Sequence, residues 1–456
     1  MKQAKQSAST VSLIAGVGMF LSTLDSGIIN IAIPTFLKQF AAPISTVIWT
    51  VTLYTLFLSA TILLFGRLAD RVGCLKIYIT GLALFALSSL LCGAATNIWM
   101  LIIFRALQGL SAAMMQATAI ALITTRLEGP HIAKAMGILG MFIGLGPMLG
   151  PVLGGFILTI AGWRWLFWIN IPICIVGIIG CRKLVAKQEV LQKKPINYLN
   201  LKLLAISMFC LLLTLNFISY AVEKFCLAAV ITIILISTYL LFEQRTKHPI
   251  IPWKLFKSIN FTAPMLGIIA FGGATVVAFM LPPIYLEKLR YFTAWQVGLI
   301  SLSAPLGIVS ASQISVRLVQ KFGTLLPMLI GLSIMIFALI CLTQITMDWR
   351  IIRLFLLLFC YGFGGGLYQP SCYINLTRQF PVNSQAFISA LTRMIQNVAI
   401  AFAAGTVAML IGLKTRHNLI NGIAQGWWVV TIASIIAWIA LLTAMVKSRR
   451  IDVIRI

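Results

Sequence analysis

Acidic side chains are scarce in this chain: nine in 456 residues, against 35 lysines and arginines and three histidines. Charged residues make up only 10% of the total, while 60% are hydrophobic and the mean hydropathy is +1.02. A water-soluble fold of this length would need far more polar side chains to cover its surface, so that class is excluded. There is no GxxxxGK[ST] loop, which excludes an ATP-driven pump of the phosphate-loop type, and no HExxH pair for a zinc hydrolase. No long polar stretch leaves room for a large soluble domain. The nine cysteines are scattered singly, without a CxxC pair, so neither a disulfide framework nor a metal site is expected. His131, His248 and His417 all fall in predicted loops, which leaves no imidazole inside a predicted span. No cofactor is called for, and an embedded enzyme is the least favoured class.

Long apolar runs fill the space that charge leaves. They recur at 11–35, 46–65, 77–95, 98–124, 135–160, 165–181, 203–222, 225–242, 263–286, 295–316, 325–346, 354–376, 385–411 and 425–446. Each is long enough to cross roughly 30 Å of hydrocarbon as a helix. The expectation is an all-α integral membrane protein with fourteen transmembrane helices. The first run is too long, and followed by too many others, for a cleavable signal peptide. A net charge of +26 would suit a nucleic-acid binder, but its placement points elsewhere. With the N-terminus inside, most Lys and Arg fall in cytoplasmic segments, and only Arg105 and Arg393 lie within spans. This asymmetry follows the positive-inside rule and puts both termini in the cytoplasm. The lipid bilayer, not nucleic acid, is the expected partner of the basic charge.

An internal repeat organises the runs. FGRLADRVGCLKIYITG (65–81) matches ISVRLVQKFGTLLPMLIG (314–331) when Gly73 is set on Gly323, which puts Arg67 on Arg317 and Gly81 on Gly331. At a nearby offset GLSAAMMQ (109–116) matches GFGGGLYQ (362–369), pairing Gly109 with Gly362 and Gln116 with Gln369. Two pseudo-symmetric six-helix bundles are therefore expected, within 1–184 and 262–456. Parallel repeats of this kind place a substrate path between the halves near the midplane. The intervening 185–261 holds a basic segment, suited to anionic head groups, and two extra helices.

Inside the first run lies one carboxylate. Asp25 is 14 residues after Val11, or about 21 Å along a helix, past the midplane toward the outside. An acid at the centre of a span costs about 2.5–3.5 kcal/mol, and such groups mark function by default. Burial penalises the charged form of a carboxyl group, so Asp25 could gain and lose a proton as water access alternates, or contact the substrate. The competing reading is a fixed ion pair, or a neutral acid that merely orients the helix. Arg105 offers a rigid donor fork suited to a carboxylate; it is either the partner of Asp25 or a clamp on backbone carbonyls. Arg393 either acts within its span or snorkels to the interface.

Gly146, Gly150 and Gly154 recur every four residues, giving a side-chain-free stripe for close helix approach. Pro147 and Pro151 favour a bend, so 146–155, including Gly155, reads as a hinge or seal. Gly66 and Gly73 permit a tight turn around Arg67, Asp70 and Arg71. Topogenic charge explains the cations but not Asp70, which is placed to latch the halves through an ion pair or at a helix N-terminus.

These stretches resemble the major facilitator superfamily, and within it the fourteen-helix drug:proton antiporters. GRLADRVGCLK (66–76) is similar to that superfamily's loop between its second and third helices. FRALQGLSAA (104–113), which contains Gln108, resembles its fourth-helix arginine motif, and GILGMFIGLGPMLGPVLGG (137–155) its fifth-helix antiporter motif. LDSGIINIAIP (24–34), which contains Asn30, resembles the branch's first-helix motif, with Gly27 where a threonine is usual. WRWLFWINIP (163–172) is similar to the start of its sixth helix. The resemblance implies a proton-coupled efflux antiporter of the cell membrane, tied to drug resistance, that acts as a monomer on small amphipathic or hydrophobic compounds. Asn30, Gln108, Gln116, Gln369 and Arg393 are secondary site candidates. A dedicated exporter of one metabolite, peptide or siderophore, or a scaffold or sensor without flux, remains the alternative.

Overall fold

A computed structural model of the chain describes residues 2–127, 130–182, 184, 197–217, 222–246, 249–251, 253–412 and 419–454. The described residues are overwhelmingly helical and include no strand. That is what lipid requires, since a helix satisfies its backbone hydrogen bonds internally where water is absent.

The first half contains α1 (Lys2–Phe40), the one-turn α2 (Ile44–Val47), α3 (Trp49–Val72), α4 (Cys74–Ala94), α5 (Ile98–Arg126), α6 (Pro130–Ile160), the short α7 (Trp165–Trp168) and α8 (Asn170–Arg182). The inserted pair is α9 (Tyr198–Phe217) and α10 (Val222–Arg245). The remainder is α11 (Ile259–Ile284), α12 (Ala294–Ser301), α13 (Ser303–Phe322), α14 (Leu325–Thr343), α15 (Ile351–Arg378), α16 (Gln385–Gly412) and α17 (Leu419–Ile454). Thirteen described stretches are long and apolar enough to cross a membrane. The fifth expected span, 135–160, coincides with α6, whose described apolar stretch is His131–Gly146. The protein is a multi-pass membrane protein.

Two compact units emerge from the packing. One comprises Met1–Ile196 with Phe380–Met394, and the other Asn197–Gln379 with Ile395–Ile456. In the first, α1 packs along α6, α3 and α4 pack on α5, and α8 closes on α1 and α4. In the second, α13 and α14 pack on α15, α17 lies on α11 and α14, and α9 pairs with α10.

The turn glycines of the repeat are structurally equivalent. Gly73 ends α3 at φ 113° and Gly323 ends α13 at φ 75°, a backbone region where a Cβ is strained. Elsewhere Asn97 caps α5, its side chain accepting from the Met100 N–H at 2.9 Å. Thr293 and Gln296 form a capping box at the start of α12. The basic stretch 185–196 between the halves lies outside the described residues.

Candidate functional site

Polar side chains meet around Asp25 on the inner faces of α1, α3, α4, α5 and α8. Asp25 is 1% exposed and Arg105 is fully buried, and the two form an ion pair through Arg105 Nη1 and Asp25 Oδ2. The same Nη1 donates to Gln108 Oε1 at 2.6 Å, and Arg105 Nε donates to the Thr50 carbonyl at 3.0 Å. The guanidinium lies over the Tyr54 ring, 4.2 Å from its centroid, a cation–π contact strengthened by desolvation. Both sequence readings of Arg105 therefore describe real contacts: it pairs with the acid and clamps a backbone carbonyl.

The second carboxylate oxygen is held by neutral amides. Gln108 Nε2 donates to Asp25 Oδ1 at 3.1 Å, and Asn170 Nδ2 donates to the same atom at 3.3 Å. Behind Gln108, its Nε2 also donates to Ser89 Oγ at 2.9 Å, and the Cys92 thiol lies 3.7 Å from its Oε1. Spacing explains part of this arrangement. Arg105 and Gln108, three apart on α5, share one face; Gly109 lets the Tyr54 backbone approach so closely that a Cβ there would sit 2.3 Å from the Tyr54 carbonyl oxygen. Tyr54 in turn donates from its hydroxyl to the Ser22 carbonyl at 3.0 Å, and Gln116 donates to Ser22 Oγ at 3.1 Å.

Along α1, Asp25 is flanked by a buried apolar cluster. Leu24, Ile28, Ile29, Ala32 and Phe36 of α1 pack with Leu101, Ile102, Trp163, Leu166 and Phe167 in one buried cluster. Phe36 meets Trp163 edge-on at 5.6 Å and stacks on Phe167 at 6.5 Å. The glycine stripe of α6 also runs along α1. A Cβ on Gly146 would lie 2.7 Å from the Thr23 Cβ and 3.0 Å from the Leu24 nitrogen, and one on Gly150 would lie 2.8 Å from the Gly27 Cα. Gly154 faces Ile28 at ordinary contact distance. The departure at Gly27 thus finds a physical use, since a glycine on each helix lets the two backbones meet. Gly155 takes no part, for nothing lies within 4 Å of the position its Cβ would occupy. The side chains of Asn30, Pro147 and Pro151 lie outside the described residues.

A second buried carboxylate sits at the end of α3. Asp70 accepts from the backbone N–H groups of Ala386 at 3.0 Å and Phe387 at 3.1 Å, in the first turn of α16. These are among the donors a helix leaves unpaired at its N-terminus, where the dipole also favours negative charge. The helix terminus, one of the two partners the sequence allowed for Asp70, is present in the structure. Arg67 stacks on the Phe387 ring at 3.6 Å, and a Cβ on Gly66 would strike Ala390 at 2.4 Å. Arg71 is exposed on the last turn of α3, and Arg393 is buried on α16.

The paired glutamines of the repeat have different neighbours. While Gln116 binds Ser22, Gln369 Nε2 donates to the Tyr373 hydroxyl at 3.3 Å, and that hydroxyl donates to Gln396 Oε1 at 3.1 Å. Sequence reasoning missed Asn170, Tyr54, Ser89 and Cys92 at the acid. Glu243, one residue past the apolar run 225–242, is buried on α10 and accepts from Asn200 Nδ2 and from the Ile251 N–H, each at 2.8 Å. Among the described residues no group of three or more His, Cys, Asp or Glu could hold a metal ion.

A family profile described as Major Facilitator Superfamily matches residues 15–404. The chain belongs to the Major Facilitator Superfamily. It is 29% identical over 453 residues to the riboflavin transporter RibZ of Clostridioides difficile, covering 97% of this chain and 98% of that one. It is 29% identical over 432 residues to the multidrug transporter protein MdtP of Bacillus subtilis, covering 92% of this chain and 78% of the relative. A putative multidrug resistance protein, MdtD of Escherichia coli, is 28% identical over 448 residues, with 96% and 93% covered. The solved structure of the proton:xylose symporter XylE superposes with a TM-score of 0.69 over 96% of both chains at 16% identity. That of the human organic anion transporter MFSD10 gives 0.66 over 95% and 99% at 14% identity. The superfamily fold is thus shared at low identity. This chain is a membrane transporter of small molecules, and its relatives are transporters rather than enzymes.

Proposed function

We propose that this transporter is a proton-coupled exporter of the cell membrane, of the fourteen-helix drug:proton antiporter branch, working by alternating access. The observation that carries the reading is the buried Asp25–Arg105 pair with its amide neighbours. Arg105 has three other partners, the Thr50 carbonyl, Gln108 and the Tyr54 ring, so it keeps its place when Asp25 becomes neutral. Protonation then changes the net charge of a buried cluster from zero to plus one without dismantling it. A charge change of that kind, in surroundings of low dielectric, is a strong bias on a two-state element. The α1–α6 contact at Gly27 and Gly150 is the adjoining element it would bias.

Energetically one carboxylate suffices. A proton moving inward through roughly 150 mV releases about 3.5 kcal/mol, enough for roughly a 300-fold gradient of a neutral solute. In this reading 1–184 and 262–456 are the two six-helix bundles, 185–261 is the insertion, and both termini are cytoplasmic. The protein acts as a monomer. Asp70, with Gly66, Arg67, Arg71 and Gly73, latches α3 to the start of α16, and the stripe Gly146, Gly150 and Gly154 forms the seal against α1. Substrates are small amphipathic or hydrophobic compounds, in keeping with the multidrug relatives. A dedicated exporter of one solute is the second reading, and the full-length similarity to a riboflavin transporter favours it.

The test is Asp25→Asn in inverted vesicles of a strain lacking its own pumps. Proton-driven transport is expected to vanish at unchanged protein level. Full retained coupling would remove Asp25 from the mechanism, and competition between unrelated compounds would separate the broad exporter from the dedicated one.

A further inference from the structure

Protonating Asp25 poses a hydrogen-bonding problem. In its charged form the carboxylate accepts from Arg105, Gln108 and Asn170, all of them donors. An acid carries an O–H, which when buried needs an acceptor of its own. The nearby acceptors are nearly all occupied. Gln108 Oε1 already takes Arg105 Nη1 and faces the Cys92 thiol, and its amide nitrogen is tied to Ser89. The Thr50 carbonyl takes Arg105 Nε, and the Ser22 carbonyl takes Tyr54. Among the described residues one buried side-chain acceptor beside the acid is without a hydrogen-bond partner: Asn170 Oδ1, on a fully buried side chain.

We infer that Asn170 is a two-way amide that serves Asp25 in both proton states. It donates from Nδ2 to the carboxylate, and after half a turn about Cβ–Cγ it accepts at Oδ1 from the acid. The two ends of an asparagine amide have almost the same shape, so the turn needs no extra room, whereas the tethered Gln108 cannot follow. The proton comes from water and forms a single O–H bond at Asp25 Oδ1, while Oδ2 stays with Arg105. Nothing covalent changes in Asn170. The inference rests on the coupling role proposed for Asp25. Ionisable side chains facing the acid are Arg105 from α5, Tyr54 from α3, Cys92 from α4 and Cys174 from α8. The stretch of α6 packed along α1 beside it, from Gly146 to Gly154, has none.

This assignment has a sign. A residue that only donates would favour the carboxylate, so its removal would move protonation of Asp25 to higher pH. A two-way amide removed to leucine strands the buried O–H of the acid, whereas the carboxylate still has Gln108 and Arg105. For Asn170→Leu the protonation midpoint therefore moves down, by about one pH unit, or tenfold in proton affinity.

The experiment is infrared difference titration of the full-length protein in lipid, with the Asp25 carboxyl band assigned by its loss in Asp25→Asn. In the wild type carrying isotope-labelled asparagine, an amide band should shift as Asp25 protonates, and should be missing from Asn170→Leu. Asn170→Ser, which keeps a group able to donate or accept, should restore part of the midpoint. An upward or absent midpoint shift, or an amide band that stands still while Asp25 titrates, overturns the inference and leaves the coupling role of Asp25 intact. Absence of any titrating band at Asp25 overturns both. The labelled wild-type measurement decides the matter even if Asn170→Leu fails to fold.

Discussion

Where α5 meets α3, Gly109 brings the Tyr54 carbonyl against the helix; where α15 meets α13, Gly362 does the same with the Ala304 carbonyl, 1.9 Å from a would-be Cβ. The two crossings are repeats of one another in sequence and in packing. Their polar content is not. The spacing that sets Gly73 on Gly323 places Thr275 opposite Asp25, and the spacing that sets Gly109 on Gly362 places Leu358 opposite Arg105 and Tyr361 opposite Gln108. In the second half Thr275 and Tyr361 share a 2.9 Å hydrogen bond between hydroxyls, with the apolar Leu358 buried nearby on α15. Beside these crossings, the contact of α1 with α5 carries a charge pair and the corresponding contact of α11 with α15 carries none among the described residues. The comparison teaches that the scaffold does not need the pair. What needs it is whatever only the first half does, which is why the coupling role is placed there.

The strongest way to break the comparison is to give the first half the second half's residues. Arg105→Leu alone leaves Asp25 buried and unpaired, and should cost about 3–5 kcal/mol, seen as poor expression and a large fall in melting temperature. Asp25→Thr combined with Arg105→Leu replaces both members of the pair by the uncharged residues at the matching positions of the repeat. Because a buried pair exchanged as a unit is often close to neutral, the double variant should regain near-wild-type melting while showing no proton-driven transport. Recovery of both properties would mean that the pair is only structural.

Next in size is the glycine stripe. Gly150→Ala pushes a methyl group into the Gly27 backbone, which cannot rotate away, and overpacking of that kind costs about 1–3 kcal/mol. Transport should fall at least tenfold. Gly155→Ala, on the next residue, meets nothing and should be silent in both melting and transport. Equal damage from the two would remove the α1–α6 contact from the mechanism.

A smaller effect is expected at the turn. Asp70→Ala strips two backbone N–H groups of α16 of their acceptor, at a cost of about 1–2 kcal/mol. Its repeat counterpart Gln320 is exposed on α13, and Gln320→Ala should change melting by less than about 0.5 kcal/mol. Similar losses at both positions, in melting or in transport, would argue that the latch is two-sided.

How much of this was legible beforehand follows from what each signal depends on. Helices, spans and the repeat rest on local runs of apolar residues and on turn glycines, and these are written along the chain. Asp25 and Arg105 stand out because a charge inside an apolar run is costly wherever it points. Asn170 and Tyr54 carry no such mark. An asparagine and a tyrosine near a span are ordinary, and only the meeting of α8 and α3 with α1 shows that they face the acid. Glu243 is marked no better: it lies one residue past the apolar run 225–242, and only the meeting of α10 with Asn200 and Ile251 shows that it is buried. Gly155 belongs to the 146–155 motif but not to its stripe, since adjacent residues on a helix point about 100° apart. The two glutamines of the repeat matched in sequence, yet their partners Ser22 and Tyr373 come from surroundings that the match does not carry.

The finest test lies on the neutral side of the comparison. The Thr275 hydroxyl donates to the Phe271 carbonyl at 2.7 Å, so the bond shared with Tyr361 is one in which the tyrosine donates. Tyr361→Phe therefore removes a donor without stranding an acceptor, since Thr275 keeps its backbone partner. The cost should be about 1 kcal/mol or less, and the dependence of transport on pH should not move. The parallel change in the first half, Gln108→Leu, takes a donor from Asp25 Oδ1 and an acceptor from Arg105, and should shift that pH dependence even where the protein still folds. If Tyr361→Phe moved the pH dependence as far as Gln108→Leu, proton coupling would be shared by the two halves, and Asp25 alone would not be its seat.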